Sequence, residues 1–315
     1  MMRPTMKLLL VGLMFFNALF AQATIQGPLT GWIWDGDGTR PLLGIPGASV
    51  IGEKRTGAIP LSRVAVSPTG DYLLGIGVED QRVYLMEMRT SVMRAVEGIA
   101  AGAEVIALSP GGRAAAVLHA GAGRLEVVTG LPGSARIAGV IDLSAEGMPY
   151  LVAVSDDAGV LLAAFPGAED LVAIDTGGNR WRLPHSGRLR GISFFNHRRD
   201  ALLADDRGVW WLRDFAGNAR AELMLEAEAL QVLPAADAGH ALVTTGEAVL
   251  LLNLETGATR RIECACKPGT LARLSGSVFR IREAHGGEPL WIVDVSADQT
   301  RATFVPWEVK AGTDQ

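Results

Sequence analysis

From about residue 60 to residue 306 the apolar residues fall in runs of four to seven, rich in Val, Leu and Ile and separated by Gly, Asp, Asn, Ser or Pro. Runs of this length with this punctuation predict strands rather than helices. A phrase recurs within the pattern: an apolar run, a polar turn, then a second apolar run. It reads Arg63-Val-Ala-Val-Ser-Pro-Thr-Gly-Asp-Tyr-Leu-Leu-Gly, then Val105-Ile-Ala-Leu-Ser-Pro-Gly-Gly, then Leu151-Val-Ala-Val-Ser-Asp-Asp-Ala-Gly. Anchored on Ser67, Ser109, Ser155, Asn196, Ala235 and Ser275, it returns at spacings of 42, 46, 41, 39 and 40 residues. Self-similarity at a steady period marks an array of similar units.

Each unit holds two further runs. The third is apolar, as in Val83-Tyr-Leu-Met-Glu-Met, Leu171-Val-Ala-Ile-Asp and Val249-Leu-Leu-Leu-Asn; the fourth is more polar, as in Asn179-Arg-Trp-Arg-Leu and Thr259-Arg-Arg-Ile-Glu-Cys. Hairpin turns are expected at Asp175-Thr-Gly-Gly-Asn and Glu255-Thr-Gly. Three apolar strands and a polar outer one suit a blade packed on both faces with its last strand in water. Radial repetition of such blades makes a β-propeller. A sandwich also has strands at roughly 8–12-residue spacing, but it does not repeat a phrase at forty. The pattern therefore predicts an all-β chain, a propeller of seven four-stranded blades. Six units fill residues 60–306. Runs at Thr30-Gly-Trp-Ile-Trp-Asp, Arg40-Pro-Leu-Leu-Gly-Ile and Ser49-Val-Ile-Gly-Glu supply three more strands. They are expected to pair with a C-terminal strand around Thr303–Trp307, closing a seventh blade without an open edge. Six blades with an N-terminal extension is the alternative.

Two stretches carry a resemblance to known repeats. Val64-Ala-Val-Ser-Pro-Thr-Gly-Asp-Tyr-Leu resembles the inner hairpin of WD40-like and YVTN-type propeller repeats, and Leu171-Val-Ala-Ile-Asp-Thr-Gly-Gly-Asn is similar to the third strand and turn of the YVTN type. The regular Gly-His and Trp-Asp pairs of WD40 repeats are missing; Trp34-Asp35 is a single instance. The resemblance implies a fold and names no substrate or partner.

Ahead of the repeats, Arg3 and Lys7 precede an apolar run, Leu8–Phe20, broken only by Gly12 and Asn17, and Ala21-Gln-Ala supplies a small-x-small site. That is the signature of an export signal, and the run is shorter than the roughly 20 residues that span a bilayer as a helix. Cleavage is expected between Ala23 and Thr24. Residues 1–23 are then a signal peptide and 24–315 a single propeller domain, released to the periplasm or outside the cell. No Cys follows the cleavage site, which argues against a lipoprotein.

Composition narrows the function. A net charge of −5 disfavours nucleic acid. Only four of the 29 basic residues are Lys (Lys7, Lys54, Lys267, Lys310), as in a GC-rich bacterial coding sequence. The two cysteines, Cys264 and Cys266, lie in Glu-Cys-Ala-Cys-Lys-Pro-Gly after a predicted outer strand. In an oxidising compartment the pair is a disulfide candidate, although i and i+2 need a bend to meet; free thiols or a two-thiolate metal site are the alternatives. Asp35-Gly-Asp-Gly-Thr-Arg departs from the EF-hand pattern at its fifth, sixth and twelfth positions (Thr39, Arg40, Pro46) and reads as a turn. The histidines (His119, His185, His197, His240, His285) are dispersed, without metal-site spacing, and read as surface or turn residues. Asp156-Asp157 and Asp205-Asp206 read as turn residues, and the tryptophans as packing between blades. No nucleophile elbow, P-loop or dinucleotide loop is present. No catalytic, metal or cofactor residues are assigned and no cofactor is expected. The reading is an exported, monomeric binding or scaffold module for a protein or small molecule. An extracytoplasmic propeller enzyme, lactonase- or quinoprotein-like with residues converging at the channel, is the main alternative, and a thiol or copper protein the third.

Overall fold

The computed structural model describes residues 27–166, 171–183, 185, 187–213, 219–283, 288–296 and 300–307. The expected export segment and His285 lie outside the described residues. Every described element is a strand except one short 3-10 turn at Ala120–Ala122. Blade 1 holds β1 (Leu29–Trp34), β2 (Thr39–Leu43) and β3 (Val50–Ile51). Blade 2 holds β4 (Leu61–Val66), β5 (Tyr72–Gly77), β6 (Val83–Glu87) and β7 (Met93–Ala95), and blade 3 holds β8 (Val105–Leu108), β9 (Ala114–His119), β10 (Arg124–Thr129) and β11 (Arg136–Asp142). Blade 4 follows with β12 (Leu151–Val154), β13 (Val160–Ala164), β14 (Leu171–Asp175) and β15 (Arg180–Leu183), then blade 5 with β16 (Leu189–Phe194), β17 (Ala201–Asp205), β18 (Gly208–Arg213) and β19 (Arg220–Glu226). Blade 6 has β20 (Gln231–Pro234), β21 (His240–Thr244), β22 (Val249–Asn253) and β23 (Thr259–Ile262); blade 7 has β24 (Ala272–Ser275), β25 (Val278–Arg282), β26 (Leu290–Asp294) and β27 (Arg301–Val305). Each is an antiparallel meander, and together they form a seven-bladed β-propeller.

The burial of each strand follows its place in the blade. Second strands are closed on both faces, with every residue of β5, β9, β13 and β17 buried. Outer strands such as β11 alternate exposed and part-buried residues. The core is a series of seams between neighbouring blades: Leu118, Val127, Leu161, Phe165 and Ile174 form one between blades 3 and 4.

The recurring serine staples the turn between the first two strands. Ser109 Oγ accepts the N–H groups of Arg113 and Ala114 at 3.1 Å each, and Ser155 Oγ accepts that of Val160 at 3.0 Å. Both hydroxyls are fully buried. In blade 5 the residue with the equivalent backbone bond is Phe195, whose N–H reaches Asp200 O, one position before the Asn196 anchor.

Among the described residues the two ends of the chain do not share a blade. The sequence reading paired the Thr303–Trp307 region with the N-terminal runs; instead β27 pairs with β26, Leu290 opposite Val305. The last unit needs that strand to complete its own sheet. Among the described residues blade 1 is built from N-terminal strands alone, and it meets blades 7 and 2 by packing. Ile33 and Leu42 meet Leu274, Val278, Ile292 and Val305 of blade 7, while Trp32 meets Leu61, Leu73 and Met86 of blade 2.

Blade 1 is also set in an unusual direction. Ser275, the last residue of β24, donates to Thr30 O near the start of β1 at 2.6 Å. The turn after β1 instead lies at the opposite end, where Arg40 stands 5.5 Å over the Trp307 ring beyond β27. So β1 runs against the first strands of the other six blades and matches their second strands. Contacts further out agree. Arg55, beyond β3, donates to Met88 O and Arg89 O in the outer turn of blade 2, much as Gly139 in β11 lies against Thr176 in that of blade 4. Blade 1 thus carries the equivalents of strands two to four.

Candidate functional site

Inside β1, where the described residues of blade 1 supply no innermost strand, there is a cavity of about 980 Å³ that extends across to blade 3. Its walls come from β1 (Trp32, Ile33, Trp34), β4 (Val64, Ala65, Val66), β8 (Ile106, Leu108) and the start of blade 7 (Leu271, Arg273, Leu274), with Trp307 and Glu283 at one end. The tryptophans pack between blades, as the sequence suggested, Trp32 and Trp34 against blade 2 and Trp307 at the junction of blades 7 and 1; all three also line this cavity. Two of the rings are backed by cations: Arg55 lies 5.2 Å over Trp32 and Arg40 over Trp307. Guanidinium faces over indoles are attractive and hold the rings in place.

Three residues of this lining each bury a polar atom that has no hydrogen-bond partner: Trp32 Nε1, Asp35 Oδ1 and Arg280 Nε. Trp32 is 4% exposed and the Asp35 side chain 6%. The other oxygen of Asp35 is engaged, by Arg40 Nε at 2.7 Å and Lys54 Nζ at 3.1 Å. Arg280 pairs through Nη2 with Glu283 at 2.6 Å, and burial holds its pKa below the usual arginine value against the pull of Glu283.

Arg273 also contributes to the lining, but its head group turns towards blade 6. Its guanidinium donates to Gly276 O at 2.6 Å and to Pro234 O, and stacks 4.8 Å over the Phe279 ring. Among the described residues no carboxylate lies within ion-pair distance of it. Burial pushes its pKa down to about 10, with Asp156 pulling the other way from a distance.

The other sequence candidates lie elsewhere. The histidines divide: the side chains of His197 and His240 are exposed, as expected, but those of His119 and His185 are buried. His119 Nε2 lies 3.2 Å from Glu126, which also accepts Ala100 N–H, and His185 Nε2 lies 3.3 Å from Asp205. Sequence missed both because their acids come from a neighbouring strand or across a blade junction. The pairs stand apart in blades 3 and 5. Among the described residues no group of three or more His, Cys, Asp or Glu could hold a metal.

Asp156 and Asp205 do more than shape turns. Asp156 accepts N–H bonds from Gly111 at 2.6 Å and His197 at 2.8 Å, tying the turns of blades 3, 4 and 5. Asp205 accepts from Arg207, Gly208 and Trp210. Asp35–Gly38 is a turn closed by Asp35 N–H to Gly38 O at 3.0 Å. Cys264 and Cys266 sit in bent chain after β23 with their sulfurs 2.17 Å apart and Cα atoms 5.2 Å apart.

Comparison with solved structures agrees with this architecture. The chain is similar to β-propellers. A functionally unknown protein from Desulfotomaculum acetoxidans DSM 771 matches with a TM-score of 0.57 at 13% identity, covering 88% of this chain and 99% of that one. The Myceliophteria thermophila Cps50 (Swd1) β-propeller domain matches at 0.56 and 12%, covering 81% and 88%. A chain of a mitotic checkpoint complex matches at 0.55 and 12%, covering 78% of each. No protein-family model matches the sequence, and no curated protein does. At these identities the likeness shows the fold, and the resemblance to WD40-like propellers holds at that level. Among the described residues no helix is long and apolar enough to cross a membrane.

Proposed function

We propose that the protein is an exported binding module whose ligand sits in the cavity beside β1. The observation that carries this reading is one cavity of about 980 Å³ rimmed by three tryptophans and lined also by Asp35, Arg280 and Glu283. Ligand seats are concave and mostly apolar, with a few placed polar groups, and this wall has that make-up. Export follows from the signal-like segment 1–23 and suits the Cys264–Cys266 pair, since an oxidising compartment keeps such a bridge closed. Protein recovered from an expressing bacterium should begin at Thr24; an intact N-terminus in the mature soluble fraction refutes export.

The seat itself is tested with anilinonaphthalene sulfonate, an aromatic anion suited to indole walls and buried guanidinium. One dye should bind per chain and quench tryptophan emission. Ala65→Trp, which fills the cavity from β4, should abolish binding while the fold melts as before. Dye that binds Ala65→Trp equally well, or does not bind the unaltered protein, removes the cavity as a ligand site.

A further inference from the structure

One edge of β1 is free among the described residues. Thr39 exchanges both backbone bonds with Arg55, N–H to O at 2.9 and 2.8 Å, and Pro41 O accepts the Gly52 N–H at 2.8 Å. Both residues therefore turn their peptide groups away from β1. Hydrogen-bonded and non-bonded pairs alternate along an antiparallel ladder. Trp34 and Trp32, opposite Thr39 and Pro41, accordingly point their own N–H and C=O groups away from β2, to the edge that lines the cavity. In the other six blades a first strand running opposite to the second covers the matching edge. An uncovered edge is a template for one more strand.

The chain itself is delivered to this edge. Each outer strand hands over to the first strand of the next blade through a short connector: residues 227–230 part β19 from β20, and residues 96–104 part β7 from β8. After β27 the same handover leads to blade 1. Trp307, just beyond the end of β27 at Val305, already lines the cavity, with Arg40 over its ring. Residues 308–315 follow it, reading Glu-Val-Lys-Ala-Gly-Thr-Asp-Gln, and lie outside the described residues. A connector as short as 227–230 would bring a strand in from Lys310. First strands β8, β12, β20 and β24 have 4 residues each, so residues 310–313 are long enough to supply one.

We infer that residues 310–315 add to β1 as the innermost strand of blade 1. Direction and chemistry both favour it. Trp307 and Glu283 border the cavity at the Trp34 end, whereas Ser275 closes the other end by donating to Thr30 O at 2.6 Å. A strand that enters beside Trp307 and runs towards Thr30 lies antiparallel to β1, as the six other first strands lie to their second strands. Lys310 enters past Asp35 and Glu283, the acidic groups lining that end, and Ala311, Gly312 and Thr313 bring little bulk in among the indoles. The strand is additional to the ligand seat proposed above, which is then the part of the cavity towards Ile106 and Leu108 of blade 3.

Hydrogen exchange on the full chain tests this. Alternate peptide N–H groups within 310–315 should exchange about tenfold or more slower than in a free peptide of the same sequence, because a ladder bond must open first. In a chain ending at Trp307 the N–H groups of Trp32 and Trp34 should exchange about tenfold faster than in the full chain. Acetyl-Val-Lys-Ala-Gly-Thr-Asp-Gln, added to that shortened chain, should slow them again. Ala311→Pro together with Gly312→Pro removes a ladder donor whichever of the two faces β1, and should match the shortening. Should an altered chain fail to fold, exchange within 310–315 of the unaltered chain decides alone. Uniformly fast exchange there overturns the inference, as does exchange at Trp32 and Trp34 that shortening leaves unchanged. Dye bound by a full chain with fast exchange keeps the ligand seat and rejects the strand; slow exchange without dye keeps the strand and rejects the seat.

Discussion

Single residues show how far local chemistry is written in the sequence. The Ser-Pro-x-Gly phrase was legible because one buried hydroxyl holds the same turn in several blades, and a device used repeatedly leaves a repeated trace. Where the device changes, the trace weakens: Phe195 takes the serine's place in blade 5, and the anchor slips by one. The turn also needs a left-handed residue three positions on. Gly70 and Gly112 fill it at φ +71° and +66°, but Ala158 and Ala238 do so at +56° and +55°. An L-residue there costs roughly 1–2 kcal/mol, against roughly 0.5–1 kcal/mol of glycine's extra chain entropy. Ala238→Gly, at a half-buried site, should therefore raise stability by roughly 0.5 kcal/mol, about 1–2 °C in melting temperature. A lower melting temperature would mean that the Ala238 methyl contributes more than the backbone relief. The unpartnered atoms of Trp32, Asp35 and Arg280 left no such trace. Lacking a partner is a property of three-dimensional surroundings, and three unrelated positions do not form a motif.

Strands and turns were largely readable, their orientation less so. The N-terminal runs were identified as strands from alternation and punctuation alone. That β1 takes a second strand's direction depends on which residues neighbour it in blades 2 and 7, and no local pattern encodes that. The turn aspartates are a clearer case of sequence grammar with a measurable consequence. Burial raises the pKa of Asp157, but Ser155, Gly159 N–H and Arg199 outweigh it and the net value is lowered. Burial likewise opposes, and His240 with two backbone N–H groups overcomes, the shift at Asp237. At Asp175 the Asn179 side chain leads the lowering. A carboxylate whose folded pKa is depressed stabilises the fold above its unfolded value and loses that contribution as pH falls through the folded one. Melting temperature should thus hold down to about pH 5 and fall from about pH 4 to 2. Asp157 bridges blades 4 and 5 through Arg199, at 2.8 Å. Asp157→Asn should melt lower at pH 7 yet converge with the unaltered protein near pH 2. A constant difference across that range would show that Asp157 acts through packing rather than charge.

At the scale of the whole ring, the question is what holds the seam shut. Chain ends that shared one sheet would join it by backbone bonds, as the repeat pattern alone implied. Among the described residues the seam rests on side-chain burial and the Ser275–Thr30 bond, because all four strands of blade 7 come from the last repeat. Removing residues 24–59 therefore leaves the other six sheets intact in sequence and uncovers two faces. Leu274, Val278 and Ile292 lose their cover on blade 7, and Leu61, Leu73 and Met86 lose theirs on blade 2. A large apolar side chain contributes roughly 1.5–3 kcal/mol when fully buried. Partial uncovering of six approaches the roughly 5–15 kcal/mol net stability of a folded domain. The deletion should cost the ring its cooperative transition, read as a broad, early loss of near-ultraviolet circular dichroism while far-ultraviolet strand signal persists. Six blades that close on one another without blade 1 would instead melt in one sharp step at an unchanged temperature. In that case blade 1 would be an appendage, and the cavity beside β1 would have to be explained without it as a wall.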